Sequence, residues 1–259
     1  MHRIRLTVAY DGTDYCGWQV QPNGISVQKT LQNAIEDLVR EPVALTGASR
    51  TDSGVHALGQ VAVFDTDREI PPAKYAMALN QRLPGDIVVQ KSEEVAQDFH
   101  PRYTNVRKTY EYRILGRRMP LPAERRYSWF VPAALDFDAM ARAARLFEGE
   151  HDFRSFCSQK TDVRSTVRTI YRSELVRDGE IILYRVSGSG FLYNMVRILT
   201  GMLVMVGRGR RNAADIMKAL EDPRPQAAAP VAPACGLTLV SVEYPDEEKN
   251  NKESEPKNN

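Results

Sequence analysis

The chain has 259 residues, 42% hydrophobic and 26% charged, with a formal net charge of +2 at pH 7. That length holds one large domain or two small ones, and the composition is that of a globular protein able to bury a core. Three cysteines, Cys16, Cys157 and Cys235, are odd in number and form no C-x-x-C pair, and the four histidines are scattered, which argues against a disulfide framework and a zinc site.

The chain opens on MHRIRLTVAYDG, where apolar and charged residues alternate as in a strand. A strand with internal charges is no secretory leader, and a cytoplasmic protein is expected. In SVQKTLQNAIEDLVRE, Val27, Leu31, Ile35 and Leu38 share one helical stripe behind Ser26, a plausible cap. Strands follow near residues 43–48 and 60–65, then a short helix near 72–81 and a strand near 87–93. The order is β-α-β-β-α-β. It recurs with strand RKTYEYRI, helix DFDAMARAARLFEGE, strands near 167–175 and 181–187, a helix over 191–206 and a final strand in GLTLVSVEYP. A helix near 212–220 and the Pro/Ala-rich EDPRPQAAAPVAPA interrupt this second round. The expectation is therefore an α+β protein with two ferredoxin-like units in tandem, residues 1–105 and 106–245. No sequence repeat accompanies them, so the duplication concerns element order only. Residues 246–259, polar and without large apolar side chains, are expected to be a disordered tail.

The longest apolar run, FLYNMVRILTGMLVMVG, is short for a membrane span and carries Arg197 near its middle, so it reads as a buried core helix. Residues 100–130 hold Arg102, Arg107, Lys108, Arg113, Arg117, Arg118, Arg125 and Arg126 against Glu111 and Glu124, interleaved with Tyr103, Tyr110, Tyr112, Tyr127 and Trp129. Cations mixed with aromatics suit a phosphate backbone with unstacked bases beside it. Solvated faces would have the same composition, and charge alone leaves both readings open.

The stretch TGASRTDSGVHALGQVAVF reads as strand, polar turn and strand. Its connection, residues 49–58, is longer than the two to five residues that close a hairpin, and it carries Arg50, Asp52 and His56. Gly54 permits a backbone conformation closed to other residues, and Asp52 standing alone would serve as a turn former.

The string GASRTDSGVHALGQV closely resembles the signature loop of the tRNA pseudouridine synthase A family, in which G-x-G-R-T-D-x-G-V-H-A surrounds a catalytic aspartate. YDGTDYCGWQVQ, NQRLPGDI, FHPRYTNVRKTYEYRI and GSGFLYNMVRILTG resemble further motifs of the family in the same order, over about residues 3 to 245. Ser49 stands where the family commonly has glycine and Ser53 where it commonly has alanine, and neither change removes a functional group.

The resemblance implies the pseudouridine synthase fold, with mainly antiparallel sheets flanking a basic RNA-binding cleft. It also implies isomerisation of uridine to pseudouridine in the anticodon arm of tRNA, around positions 38 to 40, without cofactor or metal, by a homodimer that does not enter a membrane. Such chemistry breaks an N-glycosidic bond, turns the uracil and rejoins it through C5. A carboxylate can attack the base or the sugar as a nucleophile, or remove a proton as a base. Asp52 takes that role by resemblance. Arg197, in NMVRIL, takes that of the cation beside it, which would hold the carboxylate ionised by lowering its pKa roughly one to three units. Arg50 is expected to contact RNA or help extrude the nucleotide, because a base inside a stem cannot rotate. Tyr110 matches the tyrosine that packs against the uracil, whose flat face allows the ring to turn in its plane. Tyr112, two residues on, shares its strand face and is the weaker candidate. His56 reads as a loop-structuring residue. The alternatives are a noncatalytic RNA-binding or RNA-remodelling protein, which needs no Asp52, and a hydrolase using Asp52 and His56, which needs neither the basic segment nor Tyr110.

Overall fold

In the computed structural model the described residues are 1–22, 24–105, 107–158, 163–225 and 228–245, so the expected tail lies outside them. The first half runs β1 (His2–Tyr10), α1 (Val27–Val39), β2 (Thr46–Gly47), β3 (His56–Thr66), α2 (Tyr75–Asn80) and β4 (Ile87–Val95). The second runs β5 (Arg107–Gly116), β6 (Trp129–Val131), α3 (Phe137–Arg145), β7 (Gly149–Asp152), β8 (Val167–Asp178), β9 (Ile181–Gly188), α4 (Met195–Gly207), α5 (Ala213–Glu221) and β10 (Leu237–Glu243). Helices and mostly antiparallel strands make this a mixed α+β protein. The chain divides into two compact units, Met1–Lys108 with the chain from Leu239, and Thr109–Thr238.

In the first unit β1 buries Ile4, Leu6, Val8 and Tyr10 on one face, the period of two that its sequence carries. It pairs antiparallel with β3 on one side and β4 on the other. The Ser26 Oγ caps α1 by accepting from the Lys29 amide at 3.2 Å, and the helix buries Val27, Leu31, Ala34, Ile35 and Val39. β3 runs from His56, four residues earlier than expected, and its hydrophobic stretch is buried almost throughout. Only eight residues then separate it from β2.

The strand order continues from β3 to β10. Element order had placed the last strand with the second half, yet from Leu239 it belongs to the first unit. Gly59 makes this approach possible, since a Cβ there would come within 2.5 Å of the Val240 carbonyl oxygen.

The second unit is ordered β5–β9–β8–β7, with β6 added parallel to β5. β6 and β7, three and four residues long, are too short to leave a periodic signal. α4 is buried on nearly every side, as its sequence implies, and packs on α3 where Gly207 meets the Met140 side chain. Among the described residues no helix is long and apolar enough to cross a membrane.

Within the Pro/Ala-rich stretch, Pro230 and Ala232 lie against α4. The Pro230 carbonyl oxygen sits where a side chain at Gly201 would be, and the Ala232 amide donates to the Arg197 carbonyl at 3.2 Å. The Ser155 side chain and carbonyl anchor the same segment at Arg224 and Ala228.

Candidate active site

The loop that carries Asp52 is fixed from both ends. After β2 the ladder continues for one rung, Ala48 N to Val61 O at 2.8 Å. The buried Gln60 side chain then supplies the next, accepting from the Ser49 amide at 3.1 Å and donating to the Ser49 carbonyl at 2.7 Å. One side-chain amide thus stands in for a strand and satisfies both main-chain groups of Ser49 as the chain leaves the sheet. At the far end the Val55 amide donates to the Asp52 carbonyl at 3.1 Å, closing a turn in which Gly54 takes φ +77°.

A second loop, residues 11–18, cradles the first. The Trp18 amide donates to the Thr51 carbonyl at 3.0 Å, and the Tyr10 and Thr51 hydroxyls lie 2.7 Å apart. The Tyr15 carbonyl receives the Ser53 hydroxyl at 3.1 Å and the Gly54 amide at 3.4 Å. Gly12 faces the Val55 carbonyl where a side chain would collide. Gly17, at φ +101°, would put a Cβ 2.7 Å from the Thr51 oxygen and 3.1 Å from the Asp52 carbonyl carbon. The motif YDGTDYCGW therefore exists to hold the main chain of residues 51–55, and the Asp52 side chain emerges half-buried from a backbone pinned on each side.

His56 supports the same junction. It is buried, and its Nδ1 accepts from the Gly12 amide at 3.1 Å. The Asp11 Oδ1 lies equally close to that nitrogen. Both contacts tie the ring to the start of the second loop, at residues 11 and 12. The loop-structuring reading of His56 agrees with this geometry.

Gly17→Ala is expected to lower thermal stability by about 2 to 5 kcal/mol, from left-handed backbone strain and overpacking together. It should lower activity as well, because the displaced atoms belong to Thr51 and Asp52. Gly85, with nothing within 4 Å of its Cβ position, is the control, and Gly85→Ala should be neutral. Equal melting temperatures for the two variants would refute this account of the cradle.

The basic segment divides by partner. Arg107 pairs with Glu243 at 3.6 Å, Arg113 with Glu124 at 3.6 Å and Arg117 with Glu180 at 2.8 Å, so at least these three of its cations are partly neutralised within the fold. Arg102 and Lys108 instead donate to main-chain carbonyls of the Asp52 loop, those of Gly47 and Ala48.

In the second unit Tyr110 lies on β5, buried, with its ring edge-on to Phe191 at 5.1 Å. Tyr112 is fully buried and donates to the Pro233 carbonyl at 2.6 Å, and burial pushes its hydroxyl pKa far up. It is a core residue here. Arg197, half-buried on α4, donates from Nε to the Ala232 carbonyl at 2.7 Å and from Nη1 to the Asn194 Oδ1 at 2.8 Å. Asn194 stands at the N-cap of α4 with φ +60°, an uncommon value outside glycine, and its side chain makes no cap bond. It bridges Arg197 to the Ser158 hydroxyl, which accepts from Nδ2 at 2.8 Å. Tyr193, Asn194, Thr200 and Gly201 lie at helical neighbour spacing from Arg197, and of these Asn194 accepts from its guanidinium. Thr200 bonds back to the Val196 carbonyl at 2.8 Å, and Gly201 lies beneath Pro230.

Arg50 and Asp52 thus share one loop of the first unit, whereas Tyr110 and Arg197 belong to the second. Among the described residues no group of three or more His, Cys, Asp or Glu is placed to hold a metal ion. Sequence reading missed Gln60, Gly12 and Gly17, together with the segment that holds Arg197. The closely spaced glycines in YDGTDYCGW were the one available signal.

The family model described as "tRNA pseudouridine synthase" matches residues 6–104 and 143–245. Those segments include the Asp52 loop and the Arg197 helix but not Tyr110. The chain is 46% identical over 244 residues to tRNA pseudouridine synthase A of Acetivibrio thermocellus, covering 94% of this chain and 100% of that one. It is 43% identical over 247 residues to the Geobacter sp. (strain M21) protein of the same name, covering 95% and 100%. With that of Exiguobacterium sibiricum it shares 45% identity over 249 residues, covering 96% and 99%. Among solved structures it is similar to a chain of a Cbf5-Nop10-Gar1 complex, at TM-score 0.35 and 13% identity, over 77% of this chain and 54% of that one.

Proposed function

The chain belongs to the tRNA pseudouridine synthase family, and from that premise we propose that it converts uridine to pseudouridine in the anticodon stem-loop of tRNA, around positions 38 to 40, with Asp52 as nucleophile or base. The observation that carries this reading is the near-full-length match to enzymes named tRNA pseudouridine synthase A. The twofold anchoring of the Asp52 main chain supports it, because a reacting carboxylate must be held in place while the base turns.

In this proposal Asp52 acts ionised, Arg197 is the cation that keeps it so, and Tyr110 presents its ring to the uracil. Arg50 contacts the RNA as the nucleotide leaves the stack. No step calls for a cofactor or metal. We further propose a cytoplasmic homodimer, with tRNA as the partner.

The test is release of tritium from tRNA labelled at uridine C5, because only rejoining through C5 expels that hydrogen. Release in step with pseudouridine formation is the expected result. Tight tRNA binding without release would turn the reading toward an RNA-remodelling protein, and cleavage without release toward a hydrolase.

A further inference from the structure

The half-buried arginines of the first unit have carboxylate partners, with one exception. Arg3 holds Asp65 through two hydrogen bonds, at 2.8 and 2.7 Å, and Arg5 holds Glu93 at 2.5 Å. Arg102 is also half-buried, yet its side chain makes one bond, from Nη2 to the Gly47 carbonyl at 3.3 Å, and among the described residues it has no carboxylate. Its backbone is set by a tight local network. The Arg102 amide donates to the His100 Nδ1 at 3.2 Å, and the Tyr244 hydroxyl to the Pro101 carbonyl at 2.8 Å. Three residues along from Gly47 stands Arg50, exposed and without a hydrogen bond or ion pair among the described residues. Between them the Ala48 carbonyl takes the Lys108 Nζ at 2.9 Å.

Three cations therefore gather on four residues of main chain, and two of them lack a counter-charge. Burial, and after it the charge of Arg50, hold the Arg102 guanidinium below its usual pKa, so the two arginines feel each other. A partly desolvated cation next to a like charge costs stability unless an anion completes the site. Guanidinium forks match a planar or tetrahedral oxyanion with two accepting oxygens.

We infer that Arg50 and Arg102, with Lys108 beside them, form a binding site for one backbone phosphate of the RNA strand, next to the nucleotide that Asp52 acts on. The inference rests on the proposed function. Arg50 is two residues from Asp52, so a phosphate held there lies at or next to the reacting nucleotide. It fixes the strand while the base leaves the stack.

The experiment measures tRNA affinity against potassium chloride concentration for the wild type, Arg50→Gln, Arg102→Gln and the double variant. Melting temperatures are taken without RNA, and tritium release is followed in the same preparations. Each single change should weaken binding about tenfold at low salt. The double change should lower the slope of log affinity on log salt by roughly one in total, the value for a single phosphate. Arg50→Gln should leave the RNA-free melting temperature equal or higher at low salt, because it removes only repulsion. Slopes that fall by two in the double variant would mean two separate phosphates and overturn the shared site. Unchanged affinities would remove the site altogether. If inorganic phosphate raises the wild-type melting temperature while tRNA affinity ignores both substitutions, the site belongs to a free anion and the RNA reading of it fails. Tritium release by the wild type in any of these cases leaves the enzyme assignment standing. Its absence in the wild type is what would remove that assignment.

Discussion

Replacing Asp52 by asparagine is expected to abolish pseudouridine formation while leaving a folded protein that still binds tRNA. Asparagine has the same shape but can neither attack as an anion nor take up a proton, and a positioned proton-transfer group alone is worth about 10²- to 10⁴-fold. The loop should survive, because its anchors are main-chain groups and other side chains: the Asp52 carbonyl, the Thr51 carbonyl and hydroxyl, and both ends of the Gln60 amide. Single-turnover assays with excess enzyme separate chemistry from binding, and tRNA affinity and thermal melting are measured beside them. Activity within tenfold of the wild type would exclude Asp52 as the reacting group.

Arg197→Met is expected to lower both rate and stability, and to move the acid limb of the pH–rate profile toward neutrality. The sign follows from charge. A cation favours the ionised carboxylate and lowers its pKa, so removing it raises the pKa, and activity is lost at a higher pH as the solution is acidified. The stability loss has a separate origin. The Ala232 carbonyl and the Asn194 Oδ1 both accept from this guanidinium, and each acceptor left bare at a partly buried site costs about 1 to 3 kcal/mol. Asn194→Gly distinguishes the two effects, since glycine accepts the left-handed backbone of this position and the charge stays. It should reduce the rate through a less fixed Arg197 and leave the acid limb in place. If Arg197→Met keeps the wild-type acid limb while Tm falls, Arg197 is structural, and the cation that ionises Asp52 must be sought on its own loop, where Arg50 stands two residues away.

Both predictions concern residues legible in the sequence, for different reasons. Asp52 announced itself through a loop longer than a hairpin needs and through its match to a family motif. Arg197 did so as a lone charge in an apolar helix, a pattern that demands a partner. The strands and helices with a full period of two or 3.6 were readable, as in β1 and α1, whereas β6 and β7 hold too few residues to show one. What holds the site was not readable. Gln60 looks like any polar residue in an alternating strand until its amide is seen to stand in for a missing rung. Residues 221–234 have the composition of a linker, and only packing shows that their carbonyl at Ala232 holds Arg197. The charge surplus of residues 100–130 also overstated what is available to RNA. Glu243 and Glu180, which neutralise two of its arginines, are distant in sequence. Contacts between residues far apart along the chain are set by the whole fold, and local composition does not record them.

The place of β10 beside β3 bears on how the protein is made. During translation the first unit emerges as far as Lys108 with one strand of its sheet missing, and roughly 130 residues pass before Leu239 appears. At about 5 to 20 residues per second that delay is of the order of 7 to 26 seconds, during which the flank of β3 is uncovered on the ribosome. The Asp52 loop hangs from that same strand through Gln60, so the sheet that supports it is completed only after Leu239 and the residues beyond it have been made.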